Sequence, residues 1–405
     1  MEFATPYPLP LRGFTVVERA EMVAGPFCGK LLGEMGANVV KVEPLTGDPA
    51  RRIPPFVPGE SDYGAVFLYC NARKRSVTLD PSQPAGRDLF HQMLDRADVF
   101  VSDAPLSELE ELGLTPQEIR DRWPALVTVS IRAYGLTGPL SEAPAQELDT
   151  FHSGGEGIQL PAGLSYERFP ERQPVKAGRN LAGYDAGWIA ATLAGAALIS
   201  RERTGTGEVI DVSQQDVQIS LNRVNLDAQL NVGKELGRAD RGYDFGGIFP
   251  CKDGYVTVRP NENRHWQALV AGIGRADLAA DSRFEDRAGR EANFAELNEI
   301  LLEFFLPRTR IEIYEVLRQC GAPVGYFADV DDIVNDQQFQ SRAFFGKVEL
   351  DGRQVTTPGP TYRMSQTPAL PPTSAPRLGA DSAQVYGELG VECSRISDLR
   401  TASVI

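Results

Sequence analysis

Along the first 215 residues, short apolar runs alternate with stretches whose apolar positions recur at helical spacing. Phe14–Val17, Val39–Val42, Ser76–Leu79, Val99–Val101, Leu126–Ile131 and Glu208–Val212 predict strands. Ala24–Met35, Gly86–Leu94, Pro116–Arg122 and the stretch from Gln215 predict helices. Apolar strands separated by helices are the pattern of βαβ units and a parallel sheet. Gly187–Ile199 is apolar almost all round, which predicts a helix buried inside the protein or beneath a partner. At 13 residues that run is too short to span a bilayer.

The pattern changes near Arg238–Gly247, which is glycine-rich and charged. Strand-like Gly254–Val258 follows, then helical spacing at His265–Ile273 and Glu296–Leu306, and this middle stretch reads as a second, smaller domain. The last third has Pro/Thr-rich connections and a final short helix at Ala383–Leu389. A chain of 405 residues exceeds what one hydrophobic core supports, so two domains, or one large domain with an insertion, are expected.

Composition narrows the function classes. The chain is 42% hydrophobic and 24% charged, as in ordinary globular proteins. A formal charge of −14 argues against general binding of nucleic acid or anionic membrane, both of which need a basic field. Cys28, Cys70, Cys251, Cys320 and Cys393 are far apart and form no C-x-x-C pair, so they read as reduced thiols. The first ten residues lack the basic and apolar regions of a signal peptide, so a soluble, cytoplasmic protein is expected.

The glycine fingerprint of dinucleotide binding is absent after the first strand, as are P-loop, H-E-x-x-H and G-x-S-x-G motifs. No nicotinamide cofactor is expected. His91, His152 and His265 lie outside metal-ligand spacing, so no metal is expected either. His152 stands beside Gly154-Gly155, where exposed backbone N–H groups would neighbour a titratable ring, and structural and functional roles weigh equally there. Val23-Ala24-Gly25-Pro26 marks a strand-to-helix turn, the place where α/β folds bind ligands.

Several segments, read in order, carry a resemblance: V-A-G-P-F-C-G-K-L-L-G-E-M-G-A-N-V-V-K-V-E-P (23–44), G-D-P-A-R (47–51), K-R-S-V-T-L-D (74–80), S-I-R-A-Y-G-L-T-G-P (130–139), R-E-R-T-G-T-G-E-V-I-D-V-S (201–213), F-P-C-K-D-G-Y-V-T-V (249–258) and A-P-R-L-G (375–379). Together they resemble the family III CoA-transferases. The resemblance implies an open Rossmann-like α/β large domain from both chain ends (1–215 and 335–405), a smaller inserted domain (230–325), and an interlocked dimer. It also implies transfer of CoA, as substrate, from an acyl-CoA to a carboxylic acid, with no metal or organic cofactor. CoA-binding positions implied on this chain are Val23, Ala24, Gly25, Pro26, Lys74, Arg75 and Leu79. Arg132, Tyr134, His152 and Arg179 are candidates for substrate binding.

One position departs from the family pattern. The nucleophilic aspartate of G-D-x-x-x-G stands four residues before the glycine that opens the apolar helix. With that glycine at Gly187, the position is occupied by Gly183. Asp185 comes two residues late, and a role in capping the first helical turn is favoured for it. After Val99–Val101 the family has an N-F-R or N-F segment, whereas Ser102–Glu111 here is acidic and would repel phosphates. The His-Asp pair of the family's racemases corresponds to Leu148-Asp149.

Three alternatives follow: a self-sufficient CoA-transferase using Asp185, a non-catalytic subunit paired with an Asp-bearing homologue, and a racemase or isomerase on the same fold. The second is favoured. The chain then resembles the subunit without the aspartate in heteromeric members such as the succinyl-CoA:benzylsuccinate CoA-transferases of anaerobic aromatic degradation. Its expected partners are an acyl-CoA, a carboxylic acid and a related subunit, with a homodimer as the other assembly.

Overall fold

The computed structural model describes residues 8–161, 166, 169–234, 237–238, 245–368 and 370–405. Most of the glycine-rich stretch expected at a boundary, residues 239–244, lies outside the described residues. The chain divides into two compact units. One comprises Met1–Gly157, Lys176–Leu226 and Gln338–Ile405; the other comprises Ile158–Val175 and Asp227–Gln337.

The first unit is built on six parallel strands, β1 (Thr15–Arg19), β2 (Asn38–Glu43), β3 (Lys74–Thr78), β4 (Val99–Ser102), β5 (Val127–Arg132) and β6 (Val209–Ser213), in the order β3-β2-β1-β4-β5-β6. Its helices up to β6 include α1 (Ala24–Glu34), α2 (Ala65–Cys70), α3 (Pro84–Leu94), α4 (Leu106–Leu112), α5 (Pro116–Arg122), α6 (Glu147–Ser153) and α7 (Leu181–Thr204). Helix α8 (Gln214–Leu221) follows β6. Successive strand residues point to opposite faces. Val16, Val99, Val101, Val127, Val129 and Val212 pack beneath α1 and α7. Val17, Val40, Val42, Val77 and Phe100 pack beneath α3, α4, α5 and the C-terminal helices Ser382–Glu388 and Cys393–Thr401. Both faces are covered, which is why the strands are apolar throughout.

The apolar run expected to start at Gly187 belongs to a helix that starts at Leu181 and runs for 24 residues. It is long and apolar enough to cross a membrane, but half of its apolar stretch is buried within the unit. Small residues bring it close to α1: a Cβ on Gly187 would lie 2.5 Å from the Ala24 carbonyl oxygen, and Ala186, Ala190 and Ala194 are fully buried. Glycine disfavours a helix by about 1 kcal/mol relative to alanine, and here the close packing overrides that preference.

Charged residues of the 18–76 region form a network inside the same unit. Lys74 donates to Glu18 Oε1 at 2.8 Å, to the Pro26 carbonyl at 2.7 Å and to Asn71 Oδ1 at 2.9 Å, and its ammonium lies 2.7 Å from Glu18 Oε2. Lys41 reaches Glu18 at 3.2 Å, Asp48 at 2.9 Å and the Ala20 carbonyl at 2.7 Å. Arg51 holds Glu43 through two bonds of 2.8 and 2.7 Å, with its guanidinium 3.8 Å from the centre of the Phe67 ring. A Cβ at Gly29 would stand 1.8 Å from Glu18 Oε2, so only glycine leaves room for the pair.

The second unit has an antiparallel sheet of Gly247–Cys251, Gly254–Val258 and Val324–Tyr326. Helices Asn263–Gly272, Phe294–Phe305 and Arg310–Gln319 close its core around Phe249, Trp266, Leu301 and Leu317. In the first unit, the C-terminal part adds a hairpin of Phe345–Leu350 and Arg353–Pro358, joined through Asp351 and Gly352 at φ 49° and 79°.

Glu18→Gln removes the shared partner of two buried ammonium groups. It is expected to cost about 3–5 kcal/mol, read as a lower urea midpoint. An unchanged midpoint would contradict the structural role of the network.

Candidate active site

The strand order reverses between β1 and β4, and ligands of open α/β sheets bind outside the carboxyl ends of the strands at such a point. A cleft of about 620 Å³ opens there, between the residues that follow β1, β2, β3 and β4. Its walls are rich in carboxylates. Asp103 Oδ2 accepts a 2.8 Å hydrogen bond from the Glu21 backbone N–H. Burial, aided by the Glu21 carboxylate, pushes the Asp103 carboxyl up to about 7, although that N–H pulls the other way. Burial and Asp48 likewise raise Glu21. Arg19, the cation on the wall, is paired with Glu108. Met22, at φ 64° just before α1, turns its N–H to Asp48 Oδ1 at 3.1 Å.

Positions expected to touch CoA separate into three groups. Leu79 lines the cleft, and its N–H is bonded to the Glu43 carbonyl. Val23, Ala24, Gly25 and Pro26 form the buried N-terminus of α1, beside the turn that borders the cleft. Lys74 and Arg75 lie elsewhere. The Lys74 ammonium is sealed among Glu18, Asn71 and the Pro26 carbonyl, and Arg75 holds both oxygens of Glu388 at 2.8 Å. Both were expected at CoA through the family resemblance of segment 74–80, and a motif match does not tell a side chain that faces ligand from one that faces the core.

Gly183 and Asp185 both lie within α7, whose N-cap is Asn180, so Asp185 does not cap it. At 100° per residue, positions two apart on a helix point about 200° apart. Gly183 faces α1, where a Cβ would lie 3.1 Å from Val23 Cβ and Cγ1. Asp185 faces α8 and accepts a 2.9 Å bond from Gln218 Nε2. A carboxylate that sequence reasoning missed does reach the helix N-terminus: Glu147 accepts from the Ala182 N–H at 3.0 Å and pairs with Lys176 at 2.7 Å. Four-residue proximity to no known motif hid it; the acidic start of α6 was its only signal.

The remaining candidates are dispersed. Arg132, at the end of β5, donates to the Asp103 and Ser141 carbonyls at 2.8 and 2.7 Å and so braces two loops. Tyr134 is half-buried just beyond it. His152, on α6, sits edge-on to Phe151, and Gly157 is pressed against its ring. Arg179 is exposed, 3.4 Å from the Pro54 carbonyl. Asp149 accepts from the Gln146 N–H at 2.8 Å and so caps α6, while Leu148 is exposed.

A six-stranded parallel sheet in this order, with a cleft at its switch point, defines a doubly wound, Rossmann-like α/β fold. The model of CoA-transferase family III matches residues 11–382, and the chain belongs to that family of CoA-transferases. The beta subunit of succinyl-CoA–L-malate CoA-transferase from Chloroflexus aurantiacus is 30% identical over 98% of this chain and 98% of its own. The alpha subunit of the same name is also 30% identical, over 98% and 93%. A crystal structure of a CaiB/BaiF family protein from Brucella suis superposes with a TM-score of 0.82 at 30% identity, covering 95% of this chain and all of its own.

The sign of the Asp103 effect follows from its raised value. An Asp in the unfolded chain ionises near 3.9; the folded group ionises about 7. The stability of its protonated form is complete below pH 4 and is lost as pH rises through 7. Asp103→Asn is therefore expected to gain about 2–3 kcal/mol on the parent between pH 5 and pH 8, measured by thermal melting at both. A difference constant across that range would show the carboxylate ionised throughout.

Proposed function

We propose that this chain is the non-catalytic subunit of a heteromeric CoA-transferase, paired in an interlocked assembly with a homologue that carries the aspartate. Together they would move CoA from an acyl-CoA to a carboxylic acid. The relatives' names favour succinyl-CoA as donor, and the acceptor suggested by sequence resemblance is benzylsuccinate. The observation that carries the reading is Gly183. The family's nucleophile position lies on the face of α7 pressed against α1, and Asp185 points to the opposite face.

A transferase of this type needs a carboxylate to attack the thioester carbonyl, expel CoA thiolate and form a mixed anhydride. The thiolate then attacks that anhydride, releasing the first acid and leaving CoA on the enzyme as a thioester for the acceptor to take over. The subunit proposed here supplies none of these groups. Its exposed apolar residues support contact with a partner: Trp188, Ile189, Leu193 and Ile199 on α7, and Leu221 at the end of α8, are solvent-exposed in the single chain. The relatives in Chloroflexus include both an alpha and a beta subunit, so two-chain members exist among proteins equally similar to this one.

Purified chain, alone and with an Asp-bearing homologue, should be assayed for CoA transfer from succinyl-CoA. Transfer is expected only with both chains, and Asp185→Asn in this one should leave the rate within about twofold. Robust transfer by the lone chain would overturn the reading. Its loss in Asp185→Asn or in Glu147→Gln would then identify the carboxylate responsible.

A further inference from the structure

The turn between β1 and α1 presents two successive backbone amides, Glu21 and Met22, with Met22 in the left-handed region. Consecutive amides in such a turn make a concavity that attracts anions. Arg19, one residue before Ala20, adds a guanidinium on the same wall of the cleft. Each of these three donors is already engaged by a carboxylate of the chain. Met22 is bonded to Asp48, which belongs to the buried Lys41 network. Glu21 is bonded to Asp103 and Arg19 is paired with Glu108. The last two acids come from one short segment, the end of β4 and the start of α4, and both line the cleft.

We infer that Asp103 and Glu108 act as a built-in plug: they occupy the anion-recognising groups at the β1–α1 turn and exclude the phosphates of coenzyme A from this subunit's cleft. The ligand class rests on the CoA-transferase reading. The physics is local. A phosphate approaching the Glu21 amide must displace the bonded Asp103 carboxyl group; above pH 7, where Asp103 is ionised, it then meets the negative charges of Asp103, Glu21 and Glu108 on one cleft wall, and like charges at close range repel. Arg132 holds the Asp103 carbonyl and fixes the segment that carries the plug. The cleft itself is roomy, at about 620 Å³, so the exclusion is by charge rather than by volume.

The test is calorimetric titration of the isolated chain with coenzyme A at low salt and pH 8, where Asp103 is ionised. The parent and a control, Glu110→Gln/Glu111→Gln, are compared with Asp103→Asn/Glu108→Gln. The control removes the same charge from exposed positions of the same helix. The plug variant is expected to bind at least about tenfold more tightly than the parent, and the gain should shrink in 0.5 M salt as screening removes the repulsion. The control should match the parent. Glu108→Gln alone, on a partly exposed side chain, should show a several-fold gain and serves if the double variant does not fold. Equal affinity of parent and plug variants, or an equal gain in the control, would overturn the inference. A parent chain that binds CoA yet transfers none without its partner would sink the plug and leave the heteromer reading standing.

Discussion

Glu18 has no exposed surface, and two lysines reach it, Lys41 from the adjacent strand β2 and Lys74 from β3 beyond it. Removing a carboxylate and two ammonium groups from water carries a large desolvation cost, which is offset only when every donor and acceptor finds a partner. Here most do: Lys74 also holds the Pro26 and Asn71 oxygens, and Lys41 holds the Ala20 carbonyl and lies against Asp48, while Glu18 Oε2 and Asp48 Oδ2 are held by charge alone, without a geometric hydrogen bond. Two of those acceptors, the Ala20 and Pro26 carbonyls, flank the β1–α1 turn. The ion network therefore fixes the path of residues 20 to 26, and with it the start of α1. The cleft at the sheet edge and the contact with α7 are both set by that path.

Helix geometry then decides the chemistry. α1 and α7 approach closely because glycine and alanine line their contact. Within such a seam, a position is either on the contact face or off it, and two residues along the chain is the worst possible offset. Asp185 is thus held by Gln218 on α8 while Gly183 lies on Val23. No small adjustment of the backbone exchanges them, because turning the helix would drive Tyr184 and Trp188 out of their ring contacts with Phe27.

The sequence made most of the large unit legible, because a doubly covered sheet forces apolar strands at regular intervals. Strands β1 to β6 fall within two residues of the expected positions. The start of α7 was not legible: A-G-Y-D-A-G carries two glycines, and local propensity argues against a helix where tertiary packing demands one. The hairpin at 345–358 was hidden because its second strand runs into the Pro/Thr-rich T-T-P-G-P, although Asp351-Gly352 is the dipeptide that a tight turn with two positive φ values prefers. Gly183 was legible at the candidate site, since the count from Gly187 needs no coordinates. The burial of Lys74 was not, since it depends on Glu18, 56 residues away.

Under the non-catalytic reading proposed above, two departures from a self-sufficient transferase meet at one place. Gly183 lies against Val23 and Ala24 on one side of the β1–α1 turn, and Asp103 is bonded to Glu21 on the other. Mass action gives them a common logic. In a two-chain assembly, a subunit that bound acyl-CoA without a nucleophile would hold substrate in a dead end and compete with the catalytic cleft. Losing the nucleophile alone would create such a trap, whereas filling the amide turn and the arginine with the chain's own carboxylates removes it. The scaffold charges that support the turn, Glu18, Lys41, Lys74 and Asp48, are meanwhile retained, because the fold depends on them whether or not CoA enters.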